Sequence, residues 1–271
     1  MNSFLAWVGG KKSLRDAVLA RFPPEFDRYI EVFGGAGWVL FHKPPDSFEV
    51  FNDYNSLLVN LYRCVRDRPQ ELMHELQYVL NAREDFMYLA ELHKAGRLDE
   101  LPDIKRAACF YQLIRYSYGS GLTSFASKPH SIWRDFPLID HASHRLQSVV
   151  VENQDFEQLI RHYDSPRSFF YCDPPYYATE DYYMDVGFTK HDHMRLRNAV
   201  LSSQGKFLIS YNDCPEIREI WAHPRIRIEQ IRRLDNLRQR YDSGAMYEEI
   251  FISNYNTSER GGQYRQLTLL N

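Results

Sequence analysis

The run Phe169-Phe170-Tyr171-Cys172, followed at once by Asp173-Pro174-Pro175-Tyr176-Tyr177, restricts the possible folds of this chain more than any other stretch. A short, continuous apolar and aromatic run reads as a buried strand. It stops at an acid and two prolines, which cannot continue a ladder. The chain must therefore present a carboxylate, a rigid turn and an aromatic ring at the C-terminal edge of a strand. In open α/β sheets that edge is where ligands bind. Two consecutive prolines fix the backbone, so the carbonyls of Asp173 and Pro174 can face one point. A planar amine between two fixed acceptors, stacked on Tyr176, is the simplest guest. An ordinary strand exit through a Pro-Pro turn is the plain alternative, and the tetrapeptide alone leaves both open.

The rest of the chain alternates strand and helix patterns around this point. Strands are expected at 29–33, 48–51, 149–153, 206–213, 226–231 and 247–255, and helices at 14–21, 38–42, 56–66, 105–115, from 156 to 161, and at 190–203. Between Ser56 and about His144 helical spacing dominates, as in Leu72, Leu76, Val79, Leu80 and in Phe86, Leu89, Ala90, Leu92. This predicts an α/β fold with a mostly helical insert over 59–144, the sheet being built from 1–58 and 145–271. The polar segment Tyr177 to Asp185 lacks periodicity and reads as a candidate lid. Residues 232–243 read as a charged loop.

Four further places carry candidate chemistry. Trp7-Val8-Gly9-Gly10-Lys11 lacks the upstream glycine of a phosphate loop. Phe33-Gly34-Gly35-Ala36-Gly37 joins a strand to a helix, the arrangement that lets a ligand approach bare backbone, although Leu40 stands where a dinucleotide fingerprint has its last glycine. Asp53 closes the second strand, where an acid can hold a ribose diol; its other possible task is to cap the helix that follows. Aromatic and basic residues interleave from Arg115 through Tyr116, Tyr118, Phe125, Lys128, His130 and Trp133 to Arg134, which suits phosphate and base contacts but equally a solvated loop over core aromatics.

Composition narrows the classes. No apolar run in the 271 residues approaches the ~20 needed to span a bilayer, and the first residues lack the pattern of a signal peptide. The four cysteines are far apart, which suits reduced thiols in a cytoplasmic protein. A net charge of −3 means that any nucleic-acid face must be made by segregating basic residues. His191-x-His193 opens a helix and reads as a surface or capping pair, and no metal site is expected.

Taken in order, Trp7-x-Gly9-Gly10-Lys11, Phe33-x-Gly35-x-Gly37, Asp53, Asp155-Phe156, Asp173-Pro174-Pro175-Tyr176, Gly187-Phe188-Thr189 with His193, and Glu249-Ile250-x-Ile252-x-Asn254-Tyr255 resemble the Dam-like adenine-specific DNA methyltransferases of the D12 class. The resemblance spans nearly the whole chain, more weakly over 59–105. It implies a Rossmann-like sheet, S-adenosyl-L-methionine as cofactor and double-stranded DNA as substrate, and it permits a cognate restriction endonuclease without requiring one. It implies that Trp7 and Lys11 flank the methionine end of the cofactor and that Gly10 belongs to the same cofactor site. Phe33, Gly35 and Gly37 would line its pocket, Asp53 would take the ribose hydroxyls, Asp155 and Phe156 would lie beside its adenine, and Asp173 would border it. The helical insert becomes the target-recognition domain, with Arg115, Tyr116, Tyr118, Lys128 and Arg134 on DNA. The family often carries an Asn-rich segment near that hairpin, where this chain has Tyr116-Ser117-Tyr118.

The implied chemistry agrees with the opening motif. An aromatic amine is a poor nucleophile because its lone pair is delocalised into the ring. Asp173 and the Pro174 carbonyl can accept its two hydrogens, Pro175 keeping the turn rigid and Tyr176 stacking on the base. Positioning and acceptors aimed at the developing charge then supply the rate. The base must be flipped out of the duplex, at a cost of about a few kcal/mol. Methylation of cytosine N4 or of RNA would use the same chemistry, and a catalytically inert DNA-binding relative would keep the fold.

Overall fold

The computed structural model describes residues 1–7, 9–179, 187–234 and 246–258. In chain order its elements are α1 (Arg15–Leu19), β1 (Arg28–Glu31), α2 (Trp38–His42), β2 (Glu49–Asn52), α3 (Ser56–Asp67), α4 (Pro69–Leu76), α5 (Arg83–Lys94), α6 (Asp103–Tyr116), α7 (Phe136–Leu146), β3 (Val149–Glu152), α8 (Phe156–Tyr163), β4 (Ser168–Cys172), α9 (Lys190–Ser202), β5 (Lys206–Asn212), α10 (Pro215–Ile220), β6 (Arg227–Leu234) and β7 (Met246–Ser253). Each expected strand is present, its ends moved by a few residues. Arg232 and Arg233, expected in a loop, fall within β6, while Arg238, Arg240 and Asp181 to Asp185 lie outside the described residues.

Two departures have local causes. Helix α4 ends at Leu76 although Val79 and Leu80 continue its spacing. Beyond it the Asn81 amide donates to the carbonyls of Lys128 (2.9 Å) and His130 (3.4 Å), which draws the chain out of the helical path, and Leu80 is exposed. Helix α10 was not expected; Pro215 opens it in the first turn, where a missing N–H costs nothing.

The chain divides into two compact units, Met1–Arg15 with Gly34–Gln154, and Asp16–Phe33 with Asp155–Asn271. In the first, β2 and β3 pair in parallel from Glu49↔Val149 to Asn52↔Glu152. The crossover between them contains α3 to α7. Helix α6 is buried along most of its length, and α3, α4 and α5 pack around it. Helices α3 and α7 also pack on β3. Positions 59 and 144, where the helical insert is expected to begin and end, thus lie inside helices shared with the strand pair.

In the second unit the strand order is β1-β4-β5-β7-β6. Strands β1, β4 and β5 run parallel, and β7 is antiparallel to both β5 and β6. Strand β4 and the centre of β5 are buried throughout, as parallel strands covered on both faces must be. Side chains alternate with period two. The registers Glu31↔Tyr171, Tyr171↔Leu208 and Asn212↔Glu249 therefore put Tyr29, Glu31, Tyr171, Ser210, Asn212 and Glu249 on one face. That line of polar groups runs beneath the C-terminal end of β4. Parallel strands with helical crossovers and an antiparallel β7 make this a Rossmann-like α/β fold, as expected.

Candidate active site

The Pro-Pro turn belongs to the second unit and is held from below. Cys172 ends β4 fully buried, and Asp173 emerges half-buried. The Ser210 hydroxyl donates to Asp173 Oδ1 at 2.8 Å. Three residues on, the Tyr176 hydroxyl donates to Glu249 Oε2 at 3.1 Å, and its ring lies 6.2 Å from that of Tyr211. The Asn212 amide closes the exit: it accepts from Tyr177 N (3.1 Å) and donates to Tyr177 O (3.2 Å). Thr179 adds its N–H and hydroxyl to the Tyr176 carbonyl. Pro174 and Pro175 are buried. Burial, with the negative charges of Glu249 and Asp173 nearby, pushes the Tyr176 phenol well above its ordinary value, so it remains a neutral donor.

Besides Asp173, the same unit carries three further residues expected at the cofactor, Phe33, Asp155 and Phe156. Phe33 lies 5.6 Å from Phe156 and 6.0 Å from Phe188, so these rings form one aromatic cluster. Phe188 stood in the Gly-Phe-Thr motif but carried no assigned role. Asp155 caps α8, its Oδ1 accepting from Glu157 N at 3.0 Å and from Arg195 Nη2 at 3.0 Å, while the Arg195 guanidinium lies over the Phe156 ring. His193 differs from expectation. It is fully buried, with Nδ1 2.8 Å from the Tyr211 hydroxyl, because it shares the inward stripe of α9 with Leu196 and Val200.

The first unit supplies the glycine turn and Asp53. Gly35 and Gly37 have φ of 49° and 63°, a region costly for other residues. Asp53 Oδ2 accepts from Gly35 N at 2.8 Å and Oδ1 from Asn55 N at 2.9 Å. Capping of α3 falls instead to Asn55, whose side chain accepts from Leu58 N, so the competing task considered for Asp53 is taken. Burial pushes the Asp53 carboxyl up, against the lowering effect of the backbone amides of Asn55, Gly35 and Tyr54. A Cβ on Gly35 would come within 3.0 Å of Trp7 Cδ1, so the indole lies directly on the turn. Gly10 N donates to Trp7 O, a Cβ on Gly10 would meet Trp38 Nε1 at 2.8 Å, and Lys11 is buried with Nζ 3.3 Å from Gly9 O.

The residues expected on DNA separate into two groups. An antiparallel bridge between Ser117 and Phe125 closes a hairpin whose tip holds Gly119, Ser120 and Leu122 at positive φ. Tyr118 (64% exposed), Lys128 and Arg134 are at the surface. Arg115 is turned inward: Nε and Nη2 reach Asp135 at 2.9 and 2.7 Å, with His130 Nε2 2.9 Å from the same carboxylate. Tyr116 is 2% exposed and its ring lies 6.2 Å from His130. Both side chains are thus engaged within the hairpin region, Arg115 supplying the cation beside the buried Asp135 and Tyr116 packing near His130. Exposed Tyr78 and Leu80 carried no functional signal, since helical spacing placed Leu80 in a core.

A Rossmann-like α/β fold in which the buried strand β4 ends in a clamped Asp-Pro-Pro-Tyr turn suits the class of methyltransferases that act on a planar amino group. Over residues 7–239 the chain matches the family described as D12 class N6 adenine-specific DNA methyltransferase, and it belongs to that family. It is 28% identical over 277 residues to the type II methyltransferase M1.LlaDCHI of Lactococcus lactis subsp. cremoris, covering 94% of this chain and 96% of the relative. To the DNA adenine methylase of Escherichia coli (strain K12) it is 28% identical over 255 residues (86% and 88%), and to that of Haemophilus influenzae 25% over 251 residues (85% and 86%). The protein is thus an enzyme that methylates adenine N6 in DNA, and of the readings left open by the sequence this selects adenine over cytosine and DNA over RNA. Among the described residues no helix is long and apolar enough to cross a membrane, and no group of three His, Cys, Asp or Glu side chains could hold a metal ion.

Proposed function

We propose that the methyl donor is S-adenosyl-L-methionine and that Asp173, Pro174, Pro175 and Tyr176 capture a flipped adenine. The observation that carries the reading is the clamped turn, in which Asp173 is oriented by Ser210. The Asp173 carboxylate and Pro174 carbonyl accept the two amine hydrogens, which draws the nitrogen toward tetrahedral geometry and frees its lone pair. Pre-set acceptors need no reorganisation as positive charge develops on the nitrogen. Tyr176, neutral and held at its hydroxyl, offers its ring to the base.

The residues present suit the donor. Asp53 beside the bare backbone of Gly35 fits a ribose diol, Trp7 closes over the same glycine with Gly10 and Lys11 alongside, and Gly37 keeps the turn open. Phe33 and Phe156 offer faces to a purine, with Asp155 at the start of α8. When bound, S-adenosyl-L-methionine supplies a sulfonium-activated methyl group. The helical region 59–144 is assigned to target recognition, with Tyr118, Lys128 and Arg134 on DNA and Arg115 and Tyr116 behind them. DNA as substrate, together with four cysteines outside any disulfide, suits the cytoplasm.

Asp173→Ala tests the assignment. Single-turnover methylation at saturating S-adenosyl-L-methionine should fall on the order of a hundredfold or more, while DNA binding stays near wild type. Turnover within about threefold of wild type, a barrier change under ~1 kcal/mol, would exclude it.

A further inference from the structure

We propose that Glu249 is a positioning residue for the reaction: through the Tyr176 hydroxyl it sets the plane of the ring that receives the flipped adenine. This rests on the reading that Tyr176 stacks on the base. Glu249 is fully buried on β7, opposite Asn212 of β5. A carboxylate in that setting is expensive unless its oxygens are hydrogen-bonded, and a packed apolar side chain would serve the core at least as well. Its bond to Tyr176 is therefore better explained by what it orients than by core stability. The χ2 torsion of a tyrosine is broad, so the backbone turn alone leaves the ring plane loosely defined. A bond at the far end of the ring removes that freedom.

The neighbours on the same sheet face follow the same pattern. Ser210 and Asn212, at alternate positions of β5, bind Asp173 and Tyr177, and Glu249 binds Tyr176 between them. Three polar side chains thus reach three residues of one turn, on a sheet whose other face carries Phe170, Cys172, Ile209, Tyr211, Ile250 and Ile252. Desolvation of the hydroxyl and the charges of Glu249 and Asp173 raise the Tyr176 phenol, so it remains the donor in this pair.

The test uses the full chain and a duplex carrying its mapped target adenine, or 2-aminopurine in that place to report extrusion. Glu249→Gln, which keeps an acceptor, should methylate within about threefold of wild type. Glu249→Ala should lose about tenfold to a hundredfold in the single-turnover rate, with weaker 2-aminopurine fluorescence and unchanged S-adenosyl-L-methionine affinity. Tyr176→Phe should lose a similar factor, and Glu249→Ala with Tyr176→Phe should be no slower than the slower single variant. Wild-type rate and extrusion in Glu249→Ala, or losses that multiply in the double variant, would overturn the proposal. Glu249→Leu, which fills the space without an acceptor, replaces Glu249→Ala if that variant does not fold. Tyr176→Ala separates the two levels: if it methylates at wild-type rate the stacking reading itself fails, and if it is inactive beside a wild-type Glu249→Ala only the positioning role fails.

Discussion

A carboxylate can cap a helix or hold a ligand; at Asp53 the first task is taken two residues away by Asn55, and Asp53 lies against Gly35. Residue type and local spacing were enough to single out Asp53 but not to choose between its tasks. Arg115 shows the same limit. Its sequence neighbours are basic and aromatic, yet its partner is Asp135, and that pairing turns the side chain inward. The contrast with Lys128 and Arg134 is measurable. Lys128→Ala and Arg134→Ala should each reduce the slope of log affinity against log salt by about one for duplex DNA, with little change in thermal midpoint. Arg115→Ala should instead lower stability by about 3–5 kcal/mol, because it leaves the Asp135 carboxylate buried without its cation. An unchanged salt slope for both surface variants would move the DNA face elsewhere.

At the scale of elements, long apolar or strongly periodic segments were legible and short or bridged ones were not. Strand β4 could be read because four apolar residues end at two prolines, and α6 because its pattern persists over Asp103–Tyr116. The end of α4 could not, since what stops it is an Asn81 side chain bonded to carbonyls 47 and 49 residues away. Helix α3 rests on a local device. The Asn55 side-chain oxygen accepts from Leu58 N at 3.0 Å, and the Asn55 backbone N–H donates to Asp53 Oδ1. Asn55→Ala should therefore cost about 1 kcal/mol in denaturant unfolding, and Asn55→Asp much less. Equal stability of the alanine variant and wild type would show that the cap is dispensable.

At the scale of the molecule, a charged cluster ties α2, β2 and α7 of the first unit together. Lys43 and Glu49 are buried and Asp46 and Arg145 partly so; Arg145 grips Glu49 through two nitrogens and also donates to Leu40 O, and Lys43 bonds both acids. Burial alone would raise the Glu49 carboxyl, but Arg145 and Lys43 outweigh it and hold it below the usual 4.5. A folded value below the unfolded one stabilises the fold fully above that usual value. The contribution is lost as pH falls through the depressed folded value. Thermal midpoints measured from pH 6 downward should therefore drop less steeply in Glu49→Gln than in wild type, from a lower starting point; parallel curves would refute the linkage. None of this cluster was visible beforehand, since its members look like ordinary surface charges in sequence. What the sequence by itself determined was local: where β4 must stop, which turn needs glycine, which acids and rings stand at strand ends, and through their order the family. What only the tertiary structure decided was partnership. Ser210 reaches Asp173 across 37 positions and Glu249 reaches Tyr176 across 73, because β5 lies beside β4 and β7 beside β5. Strand order brings together residues that no spacing along the chain connects, and a buried charge or hydroxyl acquires its role from the neighbour it is given.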